Sequence, residues 1–440
     1  MSDANLDPSR LPPSLWAATA TPAPATTALP AGEHAVELLV VGAGVTGLSA
    51  ALHAAGRGAR VMVLEASEIG FGASGRNNGL VIPALTRADP DVLVRAFGAE
   101  KGEALVAVLR DAADTVFGLV RRHGIACEAV QQGWVQPAHR ESRLVLSRSR
   151  FAQWQRRGAP VELLDRGQVA AITGSGFWCG GWLNRSGGHL NPLGLTRGLA
   201  RAALAAGAAV HTHTPVGGLQ RAGDGWRVAT AGGSVRALKV LLATHSYSGF
   251  ATPSPWPGLP QTLVPVRSYQ MATQPIPAAL RATVLPQGHA MSDTQGDLHF
   301  AHLDAQGRIV TGGALAFAPG YETRLRRRIG QRLLKLYPQL QALGEVRFDH
   351  LWHGVFAATP DKLPRFWRLD DGLLGWVGCN GRGLALGTAL GPVLADAALD
   401  GKRARVPLPF EAPRAIRGHA FAGLGVAVGT LYYRWRDGRD

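Results

Sequence analysis

Cysteine is nearly absent from this chain. Its three copies, Cys127, Cys179 and Cys379, are scattered and odd in number, which excludes a disulfide framework and a zinc knuckle. Such usage fits a reducing, cytoplasmic compartment. Lysine is also scarce: five of the 46 basic residues are Lys, and the Arg are dispersed rather than gathered with aromatics. The formal charge of +15 therefore does not read as a nucleic-acid face. The densest basic cluster, 324–332, alternates with Leu325, Ile329 and Leu333, as on the solvated side of an amphipathic helix. Long apolar runs are missing too. The nearest, 421–433, is short and interrupted by Gly423, Gly425 and Gly429, so no stable membrane span is expected. A segment docked on the body is expected there, with membrane-surface contact as the alternative. Residues 1–35 are rich in Pro, Ala and Thr and read as no secretory signal. The pairs His211/His213, His299/His302 and His350/His353 lack acidic or cysteine partners at ligand spacing, so no metal is expected.

Glycine, by contrast, is placed where chemistry needs it. The run Glu37-Leu-Leu-Val-Val-Gly-Ala-Gly-Val-Thr-Gly-Leu48 is followed by Arg60-Val-Met-Val-Leu-Glu65. It reads as strand, glycine turn, helix, second strand and terminal acid, the layout of a dinucleotide site. Gly42 permits the turn out of the strand, Gly44 lets backbone approach a pyrophosphate, and Gly47 allows close helix-to-strand packing. The helix turns Leu48, Ala51, Leu52 and Ala55 inward, and its N-terminus offers free N–H groups and partial positive charge. Glu65 is placed to accept hydrogen bonds from a ribose diol.

Ahead of this unit, residues 1–35 read as an extended arm laid over the body through Leu15 and Trp16. After it, the spacing of Leu105, Leu109, Ala112, Val116 and Leu119 predicts a helix over 92–121 with one buried face. Asn191-Pro192 opens a second helix that ends at Gly207. Strands are expected at 209–216, 226–230, 234–238 and 240–244, then at 262–274, 297–303 and 308–313. The last informative block, Leu374-Gly-Trp-Val-Gly-Cys-Asn-Gly-Arg-Gly383, runs into an apolar helix over 384–399. This is a second strand, glycine turn and helix whose N-terminus can meet an anion.

Together with Ser14-Leu-Trp16, Gly72-Ala-Ser-Gly-Arg-Asn77, Leu263-Val-Pro-Val266, Asp293-Thr294, Trp352-His-Gly354, Thr359-Pro-Asp361 and Gly381-Arg-Gly383, these motifs carry a resemblance. The chain resembles the D-amino-acid oxidase superfamily of FAD enzymes over roughly residues 12–435. Within it, the bacterial gamma-glutamylputrescine oxidoreductase branch is most similar. The fold implied is α/β with two domains: an FAD-binding βαβ Rossmann-like domain of glutathione-reductase type, and an antiparallel-sheet substrate domain. The first would take 36–87, 186–250 and 351–400, the second 88–185 and 251–350, with 401–440 as a tail packed on the body.

The resemblance also implies roles. Gly42, Gly44, Val45, Thr46, Gly47, Glu65 and Ala66 would hold the dinucleotide end of FAD. Gly72, Ser74, Gly75, Arg76 and Asn77 would wrap the pyrophosphate and the flavin edge, small residues with one Arg suiting an anionic ligand. The backbone of Val216 would meet the adenine. Asn380, Gly381, Arg382, Gly383 and Leu384 would approach flavin N1 and O2, where a helix dipole raises the reduction potential. Two departures bear on chemistry. Relatives with covalent flavin carry Cys about seven positions before the Asp of Thr-Pro-Asp; Gly354 stands there, so non-covalent FAD is expected, with Cys379 as the alternative attachment. Amino-acid oxidising relatives carry Arg after a Tyr-Phe pair to grip the substrate carboxylate; here His299-Phe-Ala-His302 places His302 there.

The implied reaction oxidises a C–N bond of an amine or amino-acid-like substrate, and water hydrolyses the resulting imine. A gamma-glutamylputrescine-like or N-substituted amine fits the His302 departure better than a simple α-amino acid. Tyr269, His302 and Trp352 are candidate pocket-wall residues, and the electron acceptor is oxygen or a quinone or carrier protein. The alternatives are a nicotinamide-dependent dehydrogenase, which leaves 72–77 and 374–399 unexplained, and a non-catalytic flavoprotein subunit.

Overall fold

Three short apolar runs set the architecture. The strands Gly32–Val41, Val61–Leu64 and Gly233–Leu242 lie parallel to one another, with Gly32–Val41 in the middle. Their inner residues, Leu38 to Val40, Val63, Val240 and Leu241, are inaccessible to solvent, as expected of strands covered on both faces. The computed structural model describes Asp7 and residues 10–249, 254–316, 320–401 and 404–439. Residues 1–6, 8 and 9 of the expected arm, and the expected junction at 250/251, lie outside the described residues.

Around these strands a nine-stranded sheet is built in the order Phe410–Glu411, Arg365–Asp370, Leu373–Val377, Gly233–Leu242, Gly32–Val41, Val61–Leu64, Ala209–His211. The hairpin Val216–Ala222/Gly225–Thr230 pairs onto Gly233–Leu242. The two strands expected at 234–238 and 240–244 are thus one strand. Lys239 interrupts the apolar run but not the ladder, which continues parallel to Gly32–Val41 through Leu242.

An eight-stranded sheet holds the remaining long strands, in the order Phe348–Ala358, Val264–Thr273, Ile309–Gly313, Phe300–Leu303, Ala290–Ser292, Trp134–Pro137, Gly181–Asn184, Val161–Leu164. Its pairs are antiparallel except Ala290–Ser292 with Trp134–Pro137. The expected boundary at 350/351 falls inside Phe348–Ala358, which is continuous and pairs along its length with Val264–Thr273.

Two helices cross at close range over the parallel strands. A Cβ on Gly391 of the Gly383–Asp400 helix would lie 2.7 Å from the Ala50 nitrogen of Val45–Gly56, and one on Gly387 would lie 2.8 Å from Thr46 Oγ1. Ser49 Oγ donates to the Thr388 carbonyl at 2.8 Å across the same crossing. Gly383–Asp400, rather than the 421–433 run, is the described helix long and apolar enough to cross a membrane, yet it is a core helix here. Elsewhere Asn191 caps Pro192–Ala205 by accepting from Gly194 N–H at 2.9 Å. The helix over 92–121 is seen as Pro90–Arg122, broken at Gly98, where φ is 79°. The arm is not wholly extended. Ser14 Oγ caps a short helix, Leu15–Thr19, that buries Leu15 and Trp16.

Gly391→Val would overpack the helix crossing. The expected result is a loss of roughly 1–3 kcal/mol of stability, read as a lowered thermal midpoint, whereas Gly425→Ala, with open space around it, should change little.

Candidate functional site

Because the two helices cross so closely, both N-termini open into one cavity of about 370 Å³. Neither helix has a side chain capping it from the N-cap position, which is Gly44 in one and Arg382 in the other. Gly42 makes the turn before the first helix at φ 110°, and a Cβ on Gly47 would fall 2.1 Å from the Gly42 carbonyl oxygen. Glu65 ends its strand beside this turn and accepts from Ala43 N–H at 2.7 Å and Ser67 N–H at 3.0 Å. Burial raises its pKa above the usual carboxylate range, against the pull of those donors.

The cavity is lined by Gly42, Gly44, Val45, Thr46, Glu65, Ala66, Gly72, Ser74, Arg76, Asn77, Val216 and the turn Asn380, Gly381, Arg382, Gly383 and Leu384. Of the residues the resemblance assigns to FAD, Gly47 and Gly75 stand apart. Both are packed against backbone, with a Cβ on Gly75 falling 2.3 Å from the Gly70 carbonyl oxygen. Ser74 Oγ accepts from Val45 N–H at 3.0 Å, tying the 72–77 loop, whose residues Ala73–Arg76 form one helical turn, to the first helix. At the other end, Asn380 adopts φ 50° and donates to the Gly378 carbonyl at 2.7 Å. Arg382 donates to the Leu85 carbonyl at 3.0 Å and lies over the Trp134 ring, and burial pushes its pKa down to about 9.

The three candidate wall residues sit elsewhere. Tyr269 belongs to the core behind the eight-stranded sheet, against Tyr321 and His353. On a strand successive side chains alternate, so its neighbours Ser268 and Gln270 face the cavity instead. Trp352 and His302 are also outside the lining, and both are almost fully buried. They serve the 72–77 loop from behind. Trp352 Nε1 donates to the Arg76 carbonyl at 3.0 Å, Trp16 Nε1 to that of Asn77 at 2.7 Å, and His302 Nε2 meets that of Asn78 at 2.9 Å. His302 stacks on His189, 4.3 Å between centroids, its Nδ1 meets the Leu303 carbonyl at 3.3 Å, and burial lowers its pKa against the pull of both carbonyls.

Residues not anticipated from the sequence complete the wall: Ser268, Gln270, Ser292, His245, Tyr247, Phe300, Phe356 and Trp376. Ser268 and Gln270 flank Tyr269 on the strand Val264–Thr273, so alternation along that strand is the signal that could have found them. His245 carries a positive φ of 46°, and burial pushes its pKa down to about 4. Its Nε2, Gln270 Oε1 and Trp376 Nε1, on residues that line the cavity, are buried atoms without a protein partner.

With this geometry in view, comparison with known proteins decides the family. Residues 37–397 match the DAO family, described as FAD dependent oxidoreductase. The chain belongs to that family, and it is an FAD-dependent enzyme. It is 31% identical over 408 residues to gamma-glutamylputrescine oxidoreductase of Escherichia coli K12, covering 91% of this chain and 92% of the relative. Its fold is similar to that of L-proline dehydrogenase from P. horikoshii, with a TM-score of 0.69 at 21% identity over 88% of this chain and 98% of the other. Glycine oxidase from Geobacillus kaustophilus is similar at TM-score 0.68 and 20% identity, over 87% and 100%.

The residues present fit FAD. Two helix N-termini suit its anionic groups, and a Cβ on Gly44 would stand 2.7 Å from Ser74 Oγ, closing the groove that backbone now leaves open. The unpartnered Gln270, His245 and Trp376 atoms offer both acceptors and donors.

Two predictions follow from the wall. Trp352→Phe strands the Arg76 carbonyl, which costs about 1–3 kcal/mol. FAD should bind roughly tenfold more weakly in a fluorescence titration, with the thermal midpoint of the FAD-loaded protein lowered. Asp293, next to the cavity residue Ser292, is held by burial at a pKa of about 7 although His299 and Gln295 N–H donate to it. A raised folded-state pKa contributes stability that is complete below the unfolded value and lost as pH rises towards 7. The stability of the native chain relative to Asp293→Asn should therefore fall by roughly 2–4 kcal/mol between pH 4 and 7, measured by urea unfolding across that range.

Proposed function

We propose that the enzyme oxidises the C–N bond of an amine that is not a simple α-amino acid, with non-covalent FAD lying between the two helix N-termini. The dinucleotide end rests on Gly42, Gly44 and Glu65, the 72–77 loop covers the pyrophosphate, and Asn380 to Leu384 face the flavin ring. FAD supplies the two-electron acceptor, and the imine product is released to water for hydrolysis. In this reading 36–87, 186–250 and 359–400 form the FAD-binding part and 88–185 with 251–358, which keeps the strand Phe348–Ala358 whole, the substrate part.

The cation inventory of the cavity carries the substrate reading. Among the described lining residues the guanidiniums are Arg76 and Arg382. Arg76 donates to the Phe71 and His353 carbonyls, and Arg382 to that of Leu85. Neither resembles a two-pronged carboxylate clamp, and His302 lies behind the wall. Gln270 supplies a different anchor. Its Nε2 donates to Ser268 Oγ at 2.9 Å, and its Oε1 is buried without a protein partner, an acceptor that an amine N–H could satisfy. Phe300, Phe356, Leu80 and Ile82 line the same cavity, and an apolar wall favours the unprotonated amine that oxidation requires. The likeness to gamma-glutamylputrescine oxidoreductase supports a long or acylated amine. The Cys379 thiol, pushed up to about 11 by burial, supports non-covalent attachment, since a thiol rather than thiolate is a poor nucleophile.

The test is anaerobic mixing of FAD-loaded enzyme with polyamines, N-methyl amines, acylated diamines and amino acids while flavin absorbance is followed. Secondary or acylated amines should bleach the flavin faster than any small D-amino acid, and Gln270→Ala should raise the half-saturating amine concentration roughly tenfold. Faster bleaching by D-alanine would overturn the reading. Admitting air or a short-chain quinone afterwards tells oxidase from dehydrogenase.

A further inference from the structure

The C-terminal helix, Ala422–Arg439, is built inside out. Nine large apolar side chains are exposed among the described residues, and six of them are Phe421, Leu424, Val428, Leu431, Tyr432 and Trp435. Their spacing of three, four and seven places them along one helix face. Phe421 is 72% exposed, Leu424 64% and Trp435 54%, and no charged residue interrupts the stripe.

Polar residues take the opposite face, where they pin the helix to the body. Arg434 donates to the Ala314 carbonyl and pairs with Asp297. Asp437 accepts from Asp297 N–H at 2.8 Å. Tyr433 packs on Gly296, where a Cβ would lie 2.7 Å from its ring, and Arg87 lies 4.4 Å over that ring. These contacts fix which face looks outward. A stripe of this size on an anchored helix is an interaction surface rather than scatter.

We infer that this face docks on the surface of an anionic lipid bilayer, with the helix lying in the interface rather than crossing it. Charge identifies the occupant. Residues 401–440 hold eight Lys and Arg against three Asp and Glu, and the whole chain carries +15. Arg405, Arg414 and Arg417, just ahead of the helix, are exposed. A two-fold contact with a second copy would bring this positive segment against itself, whereas acidic headgroups complement it. Trp and Tyr among aliphatic residues suit the headgroup boundary, as in interfacial helices. The surface lies beside the cavity rim, since Gly296, Asp297 and Ala314, which hold the helix, also line the cavity.

The full FAD-loaded chain should co-sediment with vesicles of equal parts phosphatidylcholine and phosphatidylglycerol, and much less with phosphatidylcholine alone. A triple variant, Leu424→Gln, Leu431→Gln and Trp435→Gln, keeps every charge and should lower the bound fraction about tenfold with flavin absorbance and thermal midpoint unchanged. If that variant does not fold, hydrogen exchange of the unmodified chain decides, with vesicle-induced protection expected over 421–435. Failure to bind the mixed vesicles, binding unaffected by the triple substitution, or protection elsewhere would overturn the inference. So would a dimer in sedimentation velocity that the triple variant splits, without vesicle binding. None of these readings depends on which amine is oxidised.

Discussion

The closeness of one helix crossing governs this molecule. Val45–Gly56 and Gly383–Asp400 come from opposite ends of the chain, yet Gly387 and Gly391 let their backbones approach until Ser49 reaches the Thr388 carbonyl. Helices that pack through larger side chains sit about 8–10 Å apart. Any such widening would separate the two N-termini and the glycine turns that precede them. Each turn is in turn set by a strand of the same parallel sheet, Gly32–Val41 for one and Leu373–Val377 for the other, with Gly233–Leu242 between them. The dipoles of both helices therefore act on a single space, where a long anion can meet one at each end.

The opposite wall of that space depends on a different device. Three consecutive carbonyls, those of Arg76, Asn77 and Asn78, meet ring nitrogens of Trp352, Trp16 and His302. A loop rich in Gly and Ser would otherwise sample many conformations. The three rings come from the long strand of the eight-stranded sheet, from the N-terminal arm and from a shorter strand. The arm, the loop and the sheet are consequently one mechanical unit behind the cavity. His302 and Trp352, candidate wall residues from the sequence, instead meet main-chain carbonyls behind that wall.

Much of the fold was legible from local pattern. The Gly42–Gly47 turn, the Asn191-Pro192 helix start and the alternation of Arg with Leu325, Ile329 and Leu333 each report a local constraint, and each appears where the pattern put it. Errors arose where a neighbour outside the window decides. Lys239 looked like a strand break because its pairing partners on both edges cannot be seen from the run itself. Tyr269 was a candidate wall residue, but it faces the core of the eight-stranded sheet while Ser268 and Gln270 face the cavity, a parity the strand's own sequence does not fix. The C-terminal segment is docked as its sequence suggested, but its turn-by-turn composition does not reveal which face the body claims.

By itself, the sequence determined the chemistry available: two glycine corners preceding helices and an acid after the second strand. Those are properties of residue type and spacing, and they need no knowledge of the rest of the chain. Tertiary structure alone decided that the corners share one cavity, that Gln270 rather than Tyr269 faces it, and that an apolar helix stripe is left outward. These depend on which surfaces meet across hundreds of residues. Burial, which sets the parity of a strand and the inward face of a helix, is a property of the assembled whole.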